Sequence, residues 1–206
     1  MSINTRISKV SIARVASVAA LSLMLTGAFA ACGRTPSSGH ANVAVPAVAK
    51  ASTHINLTIE AKKPGSTVDG PSYMPDTALT VPANSLVTVT IVNNDAGDTA
   101  LPDNSPFAKV TGVESGSAYV DGVAYNSLTV DKVSHTFTIP SLGVNVPIPG
   151  DVPAGQKDIS VTFSFRTGAA GVYMWQCMDP CGSDPVGWGG PMSMKGYMMG
   201  SLTVTA

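Results

Sequence analysis

Beyond His54 the chain runs in short alternating segments, each stopped by Gly, Pro, Asn or Asp, and that pattern leaves room for little but β structure. In Ile55-Asn56-Leu57-Thr58-Ile59-Glu60 the apolar residues occupy every second position, as a strand with one buried face requires. The stretch from Ser85 to Val92 repeats the pattern and stops at Asn93-Asn94-Asp95. Asp121-Gly122, between Tyr119-Val120 and Val123-Ala124, is a type I′ hairpin signal. Four more strands are expected from Val133 to Ile139, Asp158 to Arg166, Gly171 to Gln176 and Ser201 to Ala206. Composition closes the helical alternative. Charged residues make up 12% of the chain, against about a quarter in ordinary soluble proteins. The only two Glu are Glu60 and Glu114, so Lys/Glu-rich amphipathic helices are nearly excluded. The expectation is an all-β sandwich or barrel. Between Asp95 and Lys132 a longer polar excursion, with Pro102, Pro106 and the Asp-Gly turn, is expected as a partly ordered insertion at one end of it.

The N-terminus reads differently. Arg6, Lys9 and Arg14 precede an uncharged run from Val15 to Ala31, the order of a secretory signal. Ala28-Phe29-Ala30 suits an ordinary signal peptidase, while Ala30-Ala31-Cys32-Gly33 resembles a bacterial lipobox with Phe29 where Leu is usual. The favoured reading is a signal over 1–31 of the lipoprotein type, with Cys32 lipidated and anchored in the membrane. Residues 32–53, rich in Ser, Ala, Val and Pro, then form a flexible tether, and 54–206 the folded domain. An exported protein, periplasmic or on the extracellular face, follows. Removal of Arg6, Lys9 and Arg14 takes the basic count from 12 to 9 against 13 acidic residues, a net charge of −4.

That balance gives no basic surplus for nucleic-acid binding. No glycine-rich phosphate loop or Ser/His/Asp arrangement stands out, and three His leave little for acid–base catalysis. Nothing in these motifs favours a catalyst acting on a substrate. His40, in the tether, and His54, on the first strand, read as surface residues, Trp175 as part of the core, and Trp188 as a plausible exposed residue in a Gly-Pro loop.

The informative segment is Gly171-Val172-Tyr173-Met174-Trp175-Gln176-Cys177-Met178-Asp179-Pro180-Cys181-Gly182. Two Cys four positions apart leave a strand for a loop, and six of the nine Met fall between Met174 and Met199. Thiolate and thioether donors with one imidazole favour copper. The imidazole is His135, which the alternation of Val133-Ser134-His135-Thr136-Phe137 is taken to set opposite the apolar face. A disulfide between Cys177 and Cys181 in an oxidising exterior is the competing reading of the same two residues.

Ser134-His135-Thr136-Phe137-Thr138-Ile139-Pro140-Ser141-Leu142-Gly143-Val144, then Ile148-Pro149-Gly150, then Gly171 to Gly182, resemble the periplasmic copper domain of cytochrome c oxidase subunit II, of the CuA type. The resemblance spans roughly Val81 to Ala206 and implies a cupredoxin-like Greek-key β-sandwich. It also implies that His135, Cys177 and Cys181 are copper ligands, that Asp179 lends its backbone carbonyl, and that Met198, before the last strand, is the thioether. The sequence departs from the family at the second His, whose place four residues after the second Cys holds Pro185, and at Trp188, where a Met is usual. Met192, Met194 or Asp184 would have to replace the missing ligand, on one copper ion or an altered binuclear centre. The family usually carries two membrane helices before this domain, where this chain has a single signal. Three functions follow as expectations. One is electron transfer or an oxidase-accessory role, with a redox protein such as a c-type cytochrome or an oxidase as partner. Another is Cu(I) carriage or scavenging on Met192, Met194, Met198 and Met199. The last is a metal-free binding module closed by a Cys177–Cys181 disulfide.

Overall fold

The computed structural model describes residues 52–97, 99–150, 158–182 and 187–206. Those residues form two packed sheets, the β-sandwich expected from the alternation. The first sheet has six strands: β1 (Thr53–Glu60), β2 (Ser72–Met74), β4 (Leu86–Asn93), β5 (Ala118–Val120), β6 (Val123–Tyr125) and β9 (Ile159–Arg166), in the order β2-β1-β4-β9-β5-β6. The second has β3 (Ala78–Pro82), β7 (Val133–Ile139), β8 (Val144–Pro149), β10 (Gly171–Gln176) and β11 (Met199–Thr205), in the order β3-β11-β10-β7-β8. β1 runs parallel to β4 and β3 parallel to β11; the other pairs are antiparallel. Helical structure among the described residues is limited to single 3-10 turns.

The β4–β9 pair shows why the alternation is decisive. Val87 faces Phe165, Val89 faces Phe163 and Ile91 faces Val161, all buried on the inner face. On the outer face the hydroxyls of Thr88 and Ser164 meet at 2.9 Å, and those of Thr90 and Thr162 at 3.2 Å. A one-residue slip would exchange the two sets, so the register is fixed by burial. His54 Nε2 joins this outer row at 3.0 Å from Thr90 Oγ1, on the surface as expected. Trp175 is fully buried, stacked on Phe137 at 5.1 Å and edge-on to Tyr73 at 4.9 Å, with its indole N–H donated to Thr77 O. Such ring pairs contribute about 0.5–1.5 kcal/mol each beyond the area they bury.

The 95–132 excursion has more structure than the sequence suggested. Its Asp121-Gly122 turn has positive φ at both residues, 47° and 83°, the type I′ geometry, and the resulting β5–β6 hairpin extends the first sheet against β9. The rest lies over β7 and β8. Asn145 Nδ2 donates to the carbonyls of Phe107 and Lys109, Tyr125 OH donates to Pro147 O, and Leu101, Ala108 and Val133 form a small buried cluster. Covered on both sides, β7 and β8 are buried at every residue. This overturns one reading of the sequence. His135 does not stand opposite an apolar face; it shares parity with Phe137 and Ile139 on a strand with no exposed side.

Candidate metal centre

Two strands bring the donors together. β10 meets β7 at Gln176↔Thr138, so the residue after β10, Cys177, arrives beside the middle of β7. The junction is pinned by backbone donors: Thr136 N–H points to Cys177 Sγ at 3.3 Å, Met178 N–H to Thr136 Oγ1 at 2.7 Å, and Cys177 N–H to Met198 O at 2.8 Å. Cys181 returns to the same place through a tight turn in which its N–H donates to Asp179 O at 2.8 Å. Both cysteines are free thiols, with Cys177 Sγ and Cys181 Sγ 3.3 Å apart. One ligand atom from each of His135, Cys177 and Cys181 lies within 4.8 Å of the others, and all three residues are buried.

The imidazole is aimed by a residue the sequence did not flag. Asp95 Oδ2 lies 2.9 Å from His135 Nε2. With Nε2 taken, the buried Nδ1 has no hydrogen-bond partner among the described residues, and a ring nitrogen lies within 4.8 Å of both sulfurs. A carboxylate that fixes the far nitrogen of a ligating imidazole is the usual way to set its tautomer and raise its basicity. The electrostatics agree. Burial lowers the His135 pKa, but Asp95 and the Cys177 sulfur outweigh it and hold it at about 9. Burial raises the Cys177 thiol, yet Cys181 and His135 together bring it well below its ordinary value. Its hydrogen bond to Cys177, with burial, keeps Cys181 protonated. A soft cation bound to the ring nitrogen and the sulfurs would take the place of the protons they share.

Met192 supplies the thioether in contact with the thiols. Its Sδ lies 3.6 Å from Cys181 Sγ, and the residue is buried. Met198 is buried, and its carbonyl accepts the Cys177 N–H. Met194 is half-buried and donates its N–H to Pro191 O, and Met199 begins β11. The Asp179 carbonyl takes the Cys181 N–H and stands 3.7 Å from Cys177 Sγ. Asp184, Pro185, His40 and Cys32 lie outside the described residues. Trp188 is 44% exposed. One imidazole nitrogen, two thiols and one thioether form a soft donor set, and with a buried Nδ1 that has no partner among the described residues they fit copper. Asp95 escaped the sequence reading because it lies 40 residues upstream of His135, in a turn whose local chemistry already explained an Asp.

No protein-family model and no curated protein matches the chain. Among solved structures it is similar to auracyanin B, at 20% identity over 75% of this chain and 89% of that one, with a TM-score of 0.32. It is also similar to rusticyanin from Thiobacillus ferrooxidans, at 17% identity over 74% and 78%, with a TM-score of 0.31. The blue copper oxidase from Nitrosomonas europaea is a third, at 13% identity over 73% of this chain and 43% of that one, with a TM-score of 0.38. At such scores the functional reading rests on the site's own residues.

Proposed function

We propose that the chain is an exported copper protein working in one-electron transfer, held at the membrane through Cys32. The observation that carries this reading is the convergence of a His135 ring nitrogen, Cys177 Sγ and Cys181 Sγ within 4.8 Å of one another, on three buried residues. Copper, when bound, supplies one-electron redox chemistry. The residues do the rest. His135, oriented by Asp95, and the two sulfurs would hold the ion, with Met192 as the adjacent thioether. Binding of an ion to Cys181 would displace its thiol proton, so uptake would release protons. The β7–β10 junction, with the Thr136 N–H donated to Cys177 Sγ, would keep the ligands in place whatever the ion's charge, which is what fast electron exchange needs. A small transient contact with a redox protein, a c-type cytochrome or an oxidase, fits a site that lies under loops at one end of a sandwich. The sequence resemblance to the oxidase copper domain supports the oxidase-accessory form of this role, and the basic head with Ala30-Ala31-Cys32 supports export and tethering.

Copper loading of the protein tests the reading. The expected result is stoichiometric uptake with a visible thiolate-to-copper band and an electron paramagnetic resonance signal, both lost in Cys177→Ser. Protein that stays colourless and takes up no copper under any loading condition would overturn it. The Met192 contact with Cys181 favours a second reading, Cu(I) carriage. That reading expects tight colourless Cu(I) binding, weakened by Met192→Leu, and no Cu(II) form.

A further inference from the structure

Three sulfurs and a ring nitrogen are buried here to different degrees, and the difference has a direction. Cys177 and His135 are sealed from solvent, whereas Cys181 retains a 5% exposed edge. That edge forms part of the wall of a pocket of about 300 Å³, lined among the described residues by Ala61, Asp69, Gly70, Pro71, Asp95, Gly97, Cys181 and Gly182. The same pocket touches Asp95, the residue that holds His135. Gly70, Gly97 and Gly182 contribute bare backbone to its wall, where a Cβ would fall 2.8 Å from Pro191 Cγ, 2.7 Å from Ser134 Cβ and 2.0 Å from Gly189 O. The pocket is far too small for a folded partner but admits a small complex or one exposed side chain.

We infer that this pocket is the loading mouth of the centre, where a cuprous ion carried on an external thiolate is handed first to Cys181 and only then reaches Cys177 and His135. The inference rests on the copper reading of the site. In the exchange the carrier's copper–sulfur bond breaks as the bond to Cys181 Sγ forms. The ion stays cuprous, and the Cys181 thiol proton leaves with the departing thiolate. Met192 Sδ, 3.6 Å from Cys181, offers a second soft donor at the moment of transfer.

Access can be measured without metal. Brief treatment of the metal-free protein with iodoacetamide, followed by peptide mapping, should label Cys181 before Cys177, although Cys177 carries the more acidic thiol. Ala61 is exposed at the rim, so Ala61→Trp should fill the mouth without disturbing the core, with Ala61→Leu as a milder plug and Ala61→Ser as the open control. Labelling of Cys181 and the rate of copper uptake from Cu(I)–glutathione should both fall on the order of tenfold in Ala61→Trp, with the final copper content unchanged. Equal labelling of the two cysteines in the wild type, or rates unchanged in both plugged variants, would overturn the loading mouth while leaving the copper site standing. Labelling of Cys181 first in a protein that never takes up copper would overturn the copper assignment and the cargo with it.

Discussion

Two irregular connections flank β7, and they are stabilised by opposite chemistry. The 95–132 excursion closes over its own apolar cluster, Leu101, Ala108 and Val133, with Phe107, Leu128 and Val130 packed against it, and adds a hairpin to the first sheet. The connection from Cys177 to Met198 closes over sulfur: Cys177, Cys181 and Met192 fill its interior, with the His135 ring beside them. The first is a folding device, since burying carbon leaves nothing unsatisfied. The second buries an imidazole nitrogen that has no partner among the described residues beside a pair of thiols, of which Cys181 alone keeps an exposed edge. A buried polar group in that condition costs free energy unless something binds it. The excursion is therefore complete without a ligand, whereas the sulfur loop gathers donors that could hold a metal. Asp95 links the two, because it begins the excursion and aims the ring that serves the loop.

The sharpest way to break this contrast is to remove one thiolate. Cys177→Ser is expected to abolish the coloured centre and cut copper affinity by more than the roughly 100-fold seen for loss of an outer-shell partner, measured by competition with a chelator. Next comes the other side of the contrast. Leu101→Ala should lower the unfolding free energy by about 2–3 kcal/mol in denaturant titration, the lower part of the range for a buried leucine, and leave copper affinity untouched. If affinity falls with it, the two connections are one unit. Asp95→Asn should weaken copper binding by about 10- to 100-fold and shift the reduction potential upward through loss of a nearby negative charge, while the fold stays intact by circular dichroism. A purely structural Asp95 would change stability and leave the potential alone. The smallest effect is expected at Trp188→Ala, an exposed residue, with a stability change within about 0.5 kcal/mol and an effect confined to the rate of electron exchange with a partner. Saturating copper should itself raise the melting temperature, by the mass-action gain of a ligand that binds the native state, and Cys177→Ser should erase that gain.

Strands whose alternation is enforced by one buried face were legible in the sequence, β1, β4 and β9 in the first sheet and β11 in the second, as were β10, the β5–β6 hairpin through its turn, and β7 although both its faces are buried. β2, β3 and β8 escaped, and all three are edge strands. β3 ends on Pro82, and β8 carries Pro147 and Pro149. Proline removes a ladder donor, which an edge tolerates and a central strand does not, so the residues that blur the signal are allowed where a strand has a neighbour on one side alone. At the site, His135, Cys177 and Cys181 stood out by residue type and spacing. The choice among methionines did not, because six thioethers within 26 residues, Met174 to Met199, look alike until the turn at Gly190–Ser193 brings Met192 to Cys181.

From the order of its residues alone the chain was bound to be a β protein, since alternation and the scarcity of charge permit nothing else. A soft-metal donor set was equally plain, since thiol and imidazole chemistry belongs to the residue types themselves. Packing decided the rest. It sealed both faces of β7, gave His135 a carboxylate from 40 residues away, seated Met192 against Cys181 and left a single edge of that cysteine open to a pocket. These are contacts across long stretches of chain. Local sequence fixes which face a residue shows, and only the closed sandwich fixes what that face meets.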